Sequence, residues 1–378
     1  MSPARAISRR QFVARAGVLG AGGLSWAALA AGCGGRADNP NSLHVDNWPG
    51  YIDQTRDGVP GTVDRFRAAT GVDLRYTEAV NDNQEYFATI QPRLGTGRTL
   101  EPDVMVLSFW LAARLIRLGW VDPLPLDQVP NLANLDASLR NPSWDPSGQY
   151  TLPWQSVLIG IGYNRDTTGR DLGSVDDLFD PRFKGRVGML TEMRDTIGLI
   201  MLGLGLDPAT VTTFDQAAPA FERLERAKRE GQVRAFTGND YLDDLATGNF
   251  AACIAWGGDV QQIARDNPSV RFVIPEQGGL FATDSMVMPK GARHRAAAAR
   301  WMNFVYDPAE AAPIAAAVQA VSPVTGARDE LATRAPALAA NPLMFPDAAT
   351  KARLRAFADL SEDVELQFDE AFSRITGA

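Results

Sequence analysis

Short apolar runs alternate along the chain with stretches whose apolar residues recur every three or four positions. The runs read as strands and the stretches as helices. Strands are predicted at residues 43–45, 72–76 and 103–107. Helices are predicted at 62–70, 84–94 and 110–118, with Gly71 and Gly119 as stop signals. Residues 122–150, rich in Pro, Asn and Asp, read as a loop. A second series then begins, with strands at 157–163, 186–190, 233–236, 251–256, 270–274 and 284–288 and a helix at 214–230. From Arg295 the pattern is helical almost to the end. Two such series predict an α/β chain of two lobes with largely parallel sheets.

In open α/β sheets, ligands gather at the carboxyl ends of strands. The predicted strand ends hold Asp46-Asn47-Trp48-Pro49-Gly50-Tyr51, Ala79-Val80-Asn81-Asp82, Ser108-Phe109-Trp110, Thr191-Glu192-Met193-Arg194-Asp195, Asn239-Asp240-Tyr241 and Trp256-Gly257-Gly258-Asp259. They are rich in aromatic rings and carboxylates. A ring face attracts a cation, and a carboxylate adds a charge-assisted hydrogen bond to an ammonium. Together they suit an alkylammonium, and well-spaced acids suit a diamine or polyamine. Plainer roles compete for the same residues. Trp48 and Trp110 can pack against helices, and Trp256, ending an apolar strand, reads as the most core-like of the three. Glu192, Asp195 and Asp259 can charge helix starts, and Asp284 can be a turn residue. Asp46 reads as structural and Asp53 as solvated.

Composition narrows the chemistry. The 378 residues are 45% hydrophobic and 22% charged, a globular profile with room for two domains. Two Cys (Cys33, Cys253) and two His (His44, His294) argue against a disulfide framework and against thiolate or imidazole metal sites. No phosphate loop or nucleophile elbow is present, and no cofactor is expected. Without residues 1–33 the chain has 33 basic and 45 acidic residues, a net charge of -12. Such a surface repels nucleic acid and favours small cations.

Residues 1–33 read as an address. Ser8-Arg9-Arg10-Gln11-Phe12 looks like a twin-arginine export signal. An Ala/Gly-rich run leads to Leu29-Ala30-Ala31-Gly32-Cys33, which resembles a lipoprotein cleavage site with Cys33 as the lipidated residue. Residues 34–41 read as a flexible tether. The expected location is the outer face of the cytoplasmic membrane or the periplasm.

From about residue 43 to 327 the chain resembles the polyamine-binding proteins of ABC importers, the PotD-like spermidine/putrescine receptors. The similar segments run in the family's order: Asn47-Trp48-Pro49-Gly50-Tyr51-Ile52, Ser108-Phe109-Trp110, Leu152-Pro153-Trp154, Gly160-Ile161-Gly162-Tyr163-Asn164, Thr191-Glu192-Met193-Arg194-Asp195, Ile254-Ala255-Trp256-Gly257-Gly258-Asp259, Pro275-Glu276-Gln277-Gly278-Gly279, Asp284-Ser285 and Trp301-Met302-Asn303-Phe304. The resemblance implies a two-lobed periplasmic-binding-protein fold of type II, closing on ligand by a hinge. It implies lobes at 42–150 plus about 277–323, and at 151–276 plus about 324–378. Trp48, Tyr51, Trp110 and Trp256 would form aromatic walls. Glu192, Asp195, Asp259 and Asp284 would meet ammonium groups, with Ser108 and Tyr241 as polar neighbours. Ser156 and Ala282 stand where the family often has an aromatic, so the box is thinner. The implied partners are a polyamine, the permease subunits and, through the lipid anchor, the membrane; the receptor would be a monomer and not an enzyme. Two other readings stand. One keeps the fold for an amino acid or opine, whose carboxylate would meet Arg194 or Arg114. The other is an exported glycosidase with Glu192 and Asp195 as its acid pair.

Overall fold

A computed structural model describes residues 39–377. The twin-arginine pattern and Cys33 lie outside the described residues.

Eleven strands form one mixed sheet among the described residues. They are β1 (Ser42–Asn47), β2 (Asp73–Glu78), β3 (Val104–Ser108), β4 (Val121–Asp122), β5 (Leu152–Asn164), β6 (Val187–Leu190), β7 (Val233–Thr237), β8 (Ala252–Trp256), β9 (Val270–Val273), β10 (Gly279–Pro289) and β11 (Leu354–Arg355). The main path runs β2-β1-β3-β10-β5-β8-β6-β7. The expectation of largely parallel sheets is corrected here. β1 is parallel to β2 and β3, and β6 is parallel to β7 and β8. β10 runs antiparallel to β3 and β5, and β5 runs antiparallel to β8 and β9. The reason is that β5 and β10 are long crossing strands rather than members of one βαβ series.

The burial pattern shows what they cross. One apolar core gathers Val45, Leu107, Trp154 and Trp301, with the two Trp rings stacked at 6.0 Å between centroids. A second gathers Ile161, Met189, Tyr241 and Phe368. Leu152 and Trp154 of β5 lie in the first core, and Ile159, Ile161 and Tyr163 lie in the second. β10 passes the other way, from Leu280 in the second core to Met286–Met288 in the first. A strand was expected only at residues 284–288; it begins at Gly279. At Asp284/Ser285 its register against β5 shifts. Such a bulge resets the alternation of side chains and re-aims one of them.

Helices fall where apolar periodicity and caps agree. Gly71, at φ 69°, closes the helix Thr62–Thr70, and Asp82 accepts from the Glu85 N–H to open Asn83–Leu94. Thr213 and Gln216 form a capping box at Phe214–Arg229. Asp53, expected to be solvated, accepts from the Thr62 N–H and from Arg65, so it anchors the first helix. Beyond Arg295 the chain is not uniformly helical. Residues 319–326 are irregular and β11 joins β10. Leu331, Ala339 and Met344 pack on Ala312 and Ala315 of the helix Pro308–Val318, while the last helix, Glu362–Thr376, places Phe368 and Phe372 in the second core. Cys253 is fully buried in that core, and its apolar surroundings push the thiol pKa well up.

Candidate functional site

The carboxyl ends of β1, β3, β6 and β8 meet the bulge of β10 around one cavity. It holds about 660 Å³ of empty space, its open mouth included, within the range of small-molecule sites. Nine of the ten residues expected at the site line it: Trp48, Tyr51, Ser108, Trp110, Glu192, Asp195, Trp256, Asp259 and Asp284. Tyr241 does not. It is fully buried behind Trp256, with its ring edge-on to the indole at 5.8 Å. Its hydroxyl takes a hydrogen bond from the Trp256 N–H and reaches Asp259 at 3.5 Å.

Each acid is held by its own donors. Asp284, at the bulge, accepts from the Tyr51 hydroxyl (2.8 Å) and the Ser108 hydroxyl (2.9 Å). Burial and the nearby Asp284 charge raise the Tyr51 pKa well above its usual value, so Tyr51 remains a donor. Asp195 accepts from the Trp256 indole N–H at 2.7 Å, which ties a wall of the cavity to one of its acids. Glu192 accepts from the Asn83 amide at 2.9 Å, and the same amide nitrogen donates to Ser108. Glu192 occupies the N-cap position of Met193–Gly203 but makes no capping hydrogen bond, so its carboxylate is turned to other use. Gly258 lets the next helix, Gly257–Ala264, start against the Val318 carbonyl; a Cβ there would lie 2.8 Å from that oxygen. That approach fixes Asp259 in the first turn.

All four acids titrate upward, and burial is the largest cause for each. Asp259 is pushed up to about 7 and Asp284 to about 6. Glu192 and Asp195 also rise through burial, and the Asp195 charge lifts Glu192 further. Helix N-termini favour ionised acids, but desolvation wins here. Each unit of such displacement is worth about 1.4 kcal/mol of disfavoured charge. Asp195 and Asp284 are buried and Glu192 and Asp259 half-buried, so four acids without a matching number of cations are costly at neutral pH. A cationic ligand would offset that cost. Among the described residues, no group of three or more His, Cys, Asp or Glu side chains is placed to hold a metal ion.

The rings divide differently than expected. Trp256, read as the most core-like, is only partly buried, whereas Trp48 and Trp110 are 8% and 4% exposed. Trp256 ends its strand and caps the next helix, so it stands at the rim rather than in the layer. Trp110 already faces guanidinium groups, with Arg194 at 4.3 Å and Arg114 at 4.9 Å from its ring centroid. Those arginines are committed to acids of the last helix. Arg194 pairs with Glu365 (2.6 Å) and Arg114 with Asp369 (2.7 Å). The reading in which Arg114 receives a ligand carboxylate loses ground accordingly, whereas Nη1 of Arg194 is buried without a hydrogen-bond partner among the described residues. Asp46 is buried and accepts from the Tyr86 hydroxyl, consistent with a structural role.

Several lining residues went unchosen from sequence. Asn83 organises Glu192 and Ser108. Asn81 and Asp82 form a lip that touches the far side. The Thr191 hydroxyl donates to Asp82 (2.5 Å), the Asn239 amide donates to the Asn81 carbonyl (3.4 Å), and Gly238 packs beneath. Asn81, Asp82 and Asn239 stand at predicted strand ends, so the same criterion would have found them. Phe109, Val157 and Ala282 also line the cavity; Val157 follows Ser156, and Ala282 is itself one of the positions where an aromatic ring is missing.

Residues 61–346 match the family described as bacterial extracellular solute-binding protein. The chain belongs to this family. Two relatives extend the match. The putrescine-binding periplasmic protein PotF of Escherichia coli is 28% identical over 356 residues, covering 88% of this chain and 90% of the relative. The putrescine/cadaverine-binding protein of Pseudomonas aeruginosa is 28% identical over 348 residues, covering 89% and 93%. The fold is likewise that of the spermidine/putrescine ABC transporter substrate-binding protein PotD from Streptococcus pneumoniae, with a TM-score of 0.71 at 20% identity over 89% of this chain and 98% of the other. The architecture is thus that of the mixed α/β periplasmic binding proteins. As a solute-binding protein, the chain is a receptor rather than an enzyme, which removes the glycosidase reading of Glu192 and Asp195. The family's extracellular setting accords with a place outside the cytoplasm.

Proposed function

We propose that this solute-binding protein receives a polyamine of the putrescine/spermidine type and delivers it to the permease subunits of an ABC importer. The observation that carries the reading is the set of four upshifted carboxylates, Asp195 and Asp284 buried and Glu192 and Asp259 half-buried, that line one aromatic-walled cavity. Their donors are hydroxyls, an amide and an indole, and Arg194 on the cavity wall spends one of its nitrogens on Glu365. An alkyldiammonium supplies the missing charge at its ends and methylenes for the rings. The relatives' names, which speak of putrescine, cadaverine and spermidine, support the same class. Ser108 and Asn83 would orient Asp284 and Glu192, and Tyr241 would orient Trp256.

We take the two apolar cores as the two lobes, hinged through β5 and β10. Residues 42–154 and about 286–345 build the first, and 159–280 with Phe357 and the last helix build the second. We further read residues 8–12 as a twin-arginine signal and Cys33 as lipidated, with the monomeric receptor tethered by the residues that follow.

The test is melting temperature of the ligand-free chain with putrescine, cadaverine, spermidine and spermine. A ligand at 100 times its Kd stabilises by about 2.7 kcal/mol. No shift with any of the four, or a shift only with an amino acid or opine, would overturn the reading. For the anchor, Cys33→Ala should move the chain from the membrane fraction to the soluble fraction.

A further inference from the structure

Beside the ligand cavity lies a second space, which none of the four cavity acids lines. It holds about 780 Å³, its open mouth included, and Phe109 and Ala282 line both spaces. The two therefore adjoin, and at Ala282 the side chain between them is a single methyl group. The sheet explains the opening. β11 pairs with β10 at residues 279–280 and β3 pairs with it at 284–287, so residues 281–283 have no strand on that side. The groove fills this gap, with residue 109 just past β3 and residues 356–359 just past β11 in its walls. Its rings are Phe109, Trp144, Phe281 and Phe357, the first two 6.4 Å apart between centroids. Phe281 is only partly buried and joins neither apolar core. Asp359 is the one charged residue of the lining; it is exposed and forms no ion pair among the described residues. Trp144, Phe357 and Asp359 stand outside the segments that resemble the polyamine receptors, so the groove is not part of that shared pattern.

We propose that this groove is a subsite for the far aminopropyl arm of a long polyamine. A tetramine such as spermine seats its first ammonium groups among the cavity acids, passes Ala282, and places its last ammonium among these rings, toward Asp359. The proposal rests on the polyamine reading above and names the members of that class that use both spaces. Charge complementarity selects the occupant. Ring faces attract an ammonium, and an exposed acid adds a modest, salt-screened attraction. No Lys, Arg or His lines the groove to repel it. The methylenes of the arm match the apolar remainder of the walls. A diamine, with both charges held at the cavity acids, leaves the groove unused.

Calorimetric titration of the ligand-free full chain at pH 7.5 with putrescine, spermine and N-benzylputrescine tests this. Wild type should bind spermine at least about tenfold tighter than putrescine, the yield of a cation over rings beside an acid. Asp359→Asn and Trp144→Ala should each weaken spermine about three- to fivefold and leave putrescine unchanged. Ala282→Phe, which closes the opening, should erase the spermine advantage, and adding Asp359→Asn to it should cost nothing further. Wild-type preference for putrescine overturns the proposal. So does an Asp359→Asn loss of the same size whether Ala282 is intact or replaced, which marks long-range attraction only. If N-benzylputrescine binds tighter than spermine and Asp359→Asn leaves both unchanged, the groove takes an apolar group and the proposal falls. Asp359 is exposed, so its variant decides if Trp144→Ala fails to fold. If no amine binds wild type, the polyamine reading itself has failed; if putrescine binds and spermine gains nothing, this proposal alone falls.

Discussion

Two groups of acids, one lining the cavity and one on the last helix, are treated in opposite ways. Glu365, 3% exposed, receives three arginines from the helices Phe109–Arg117 and Met193–Gly203. Asp284, 7% exposed, receives two hydroxyls and no cation of the chain. Burial is alike, so burial does not separate structural from functional acids. Compensation does. An acid that the chain pairs with its own cations is fixed in the fold, and one left with neutral donors is open to a cation from outside.

The comparison can be broken most strongly at Glu365. Removing one side of a buried ion pair costs about 3–5 kcal/mol, so Glu365→Gln should lower the melting temperature markedly. Asp259→Asn should do the reverse to the ligand-free chain at pH 8, raising its melting temperature because a disfavoured, half-buried charge is gone. The same variant should weaken diamine binding about a hundredfold or more by calorimetry, since a buried charge partner is worth roughly 2–5 kcal/mol. If Asp259→Asn instead destabilises the chain and leaves affinity intact, the two groups of acids do not differ.

The next effect is on pH. Asp259 and Asp284 rise from 3.8 to about 7 and about 6. Their folded values lie above the unfolded ones, so the folded ligand-free chain binds more protons between pH 4 and 7. Its stability should be greatest below that window and fall as pH rises through it. A bound ammonium favours the ionised acids, so binding releases protons. Diamine affinity should fall at least about tenfold from pH 8 to pH 5, and a pH-independent Kd would contradict this. Smaller still, Trp256→Ala should cost about 0.5–2 kcal/mol of affinity, the range for a cation over a ring. Gly238→Ala should weaken binding a few-fold without touching the ligand, because its Cβ would lie 2.9 Å from the Asn81 carbonyl across the lip.

Much of the site was legible because strand ends are marked twice, by the end of an apolar run and by the polar residues after it. Trp48, Ser108, Glu192 and Asp259 were found in that way. Strand direction was not legible. A buried strand is apolar on both faces whichever way it runs, so the crossings of β5 and β10 left no trace in the pattern. The first half of β10 was missed for a related reason: Ala282, Thr283 and Asp284 are neither an apolar run nor a clean alternation across the bulge. Trp256 was misjudged because its apolar neighbours belong to the strand, whereas its side chain belongs to the helix start. The arginine cluster joins residues some 170 to 255 positions apart, a separation that no local spacing signals.

The burial of Cys253 has a practical consequence. Its thiol is inaccessible and held protonated, so it will not compete for a maleimide. In a chain beginning at Asn39, Asp240→Cys would place the only reactive sulfur on an exposed turn beside the lip. A solvent-sensitive dye attached there would report the approach of Asn81 to Gly238 as fluorescence, which makes the receptor a candidate optical sensor for its own solute.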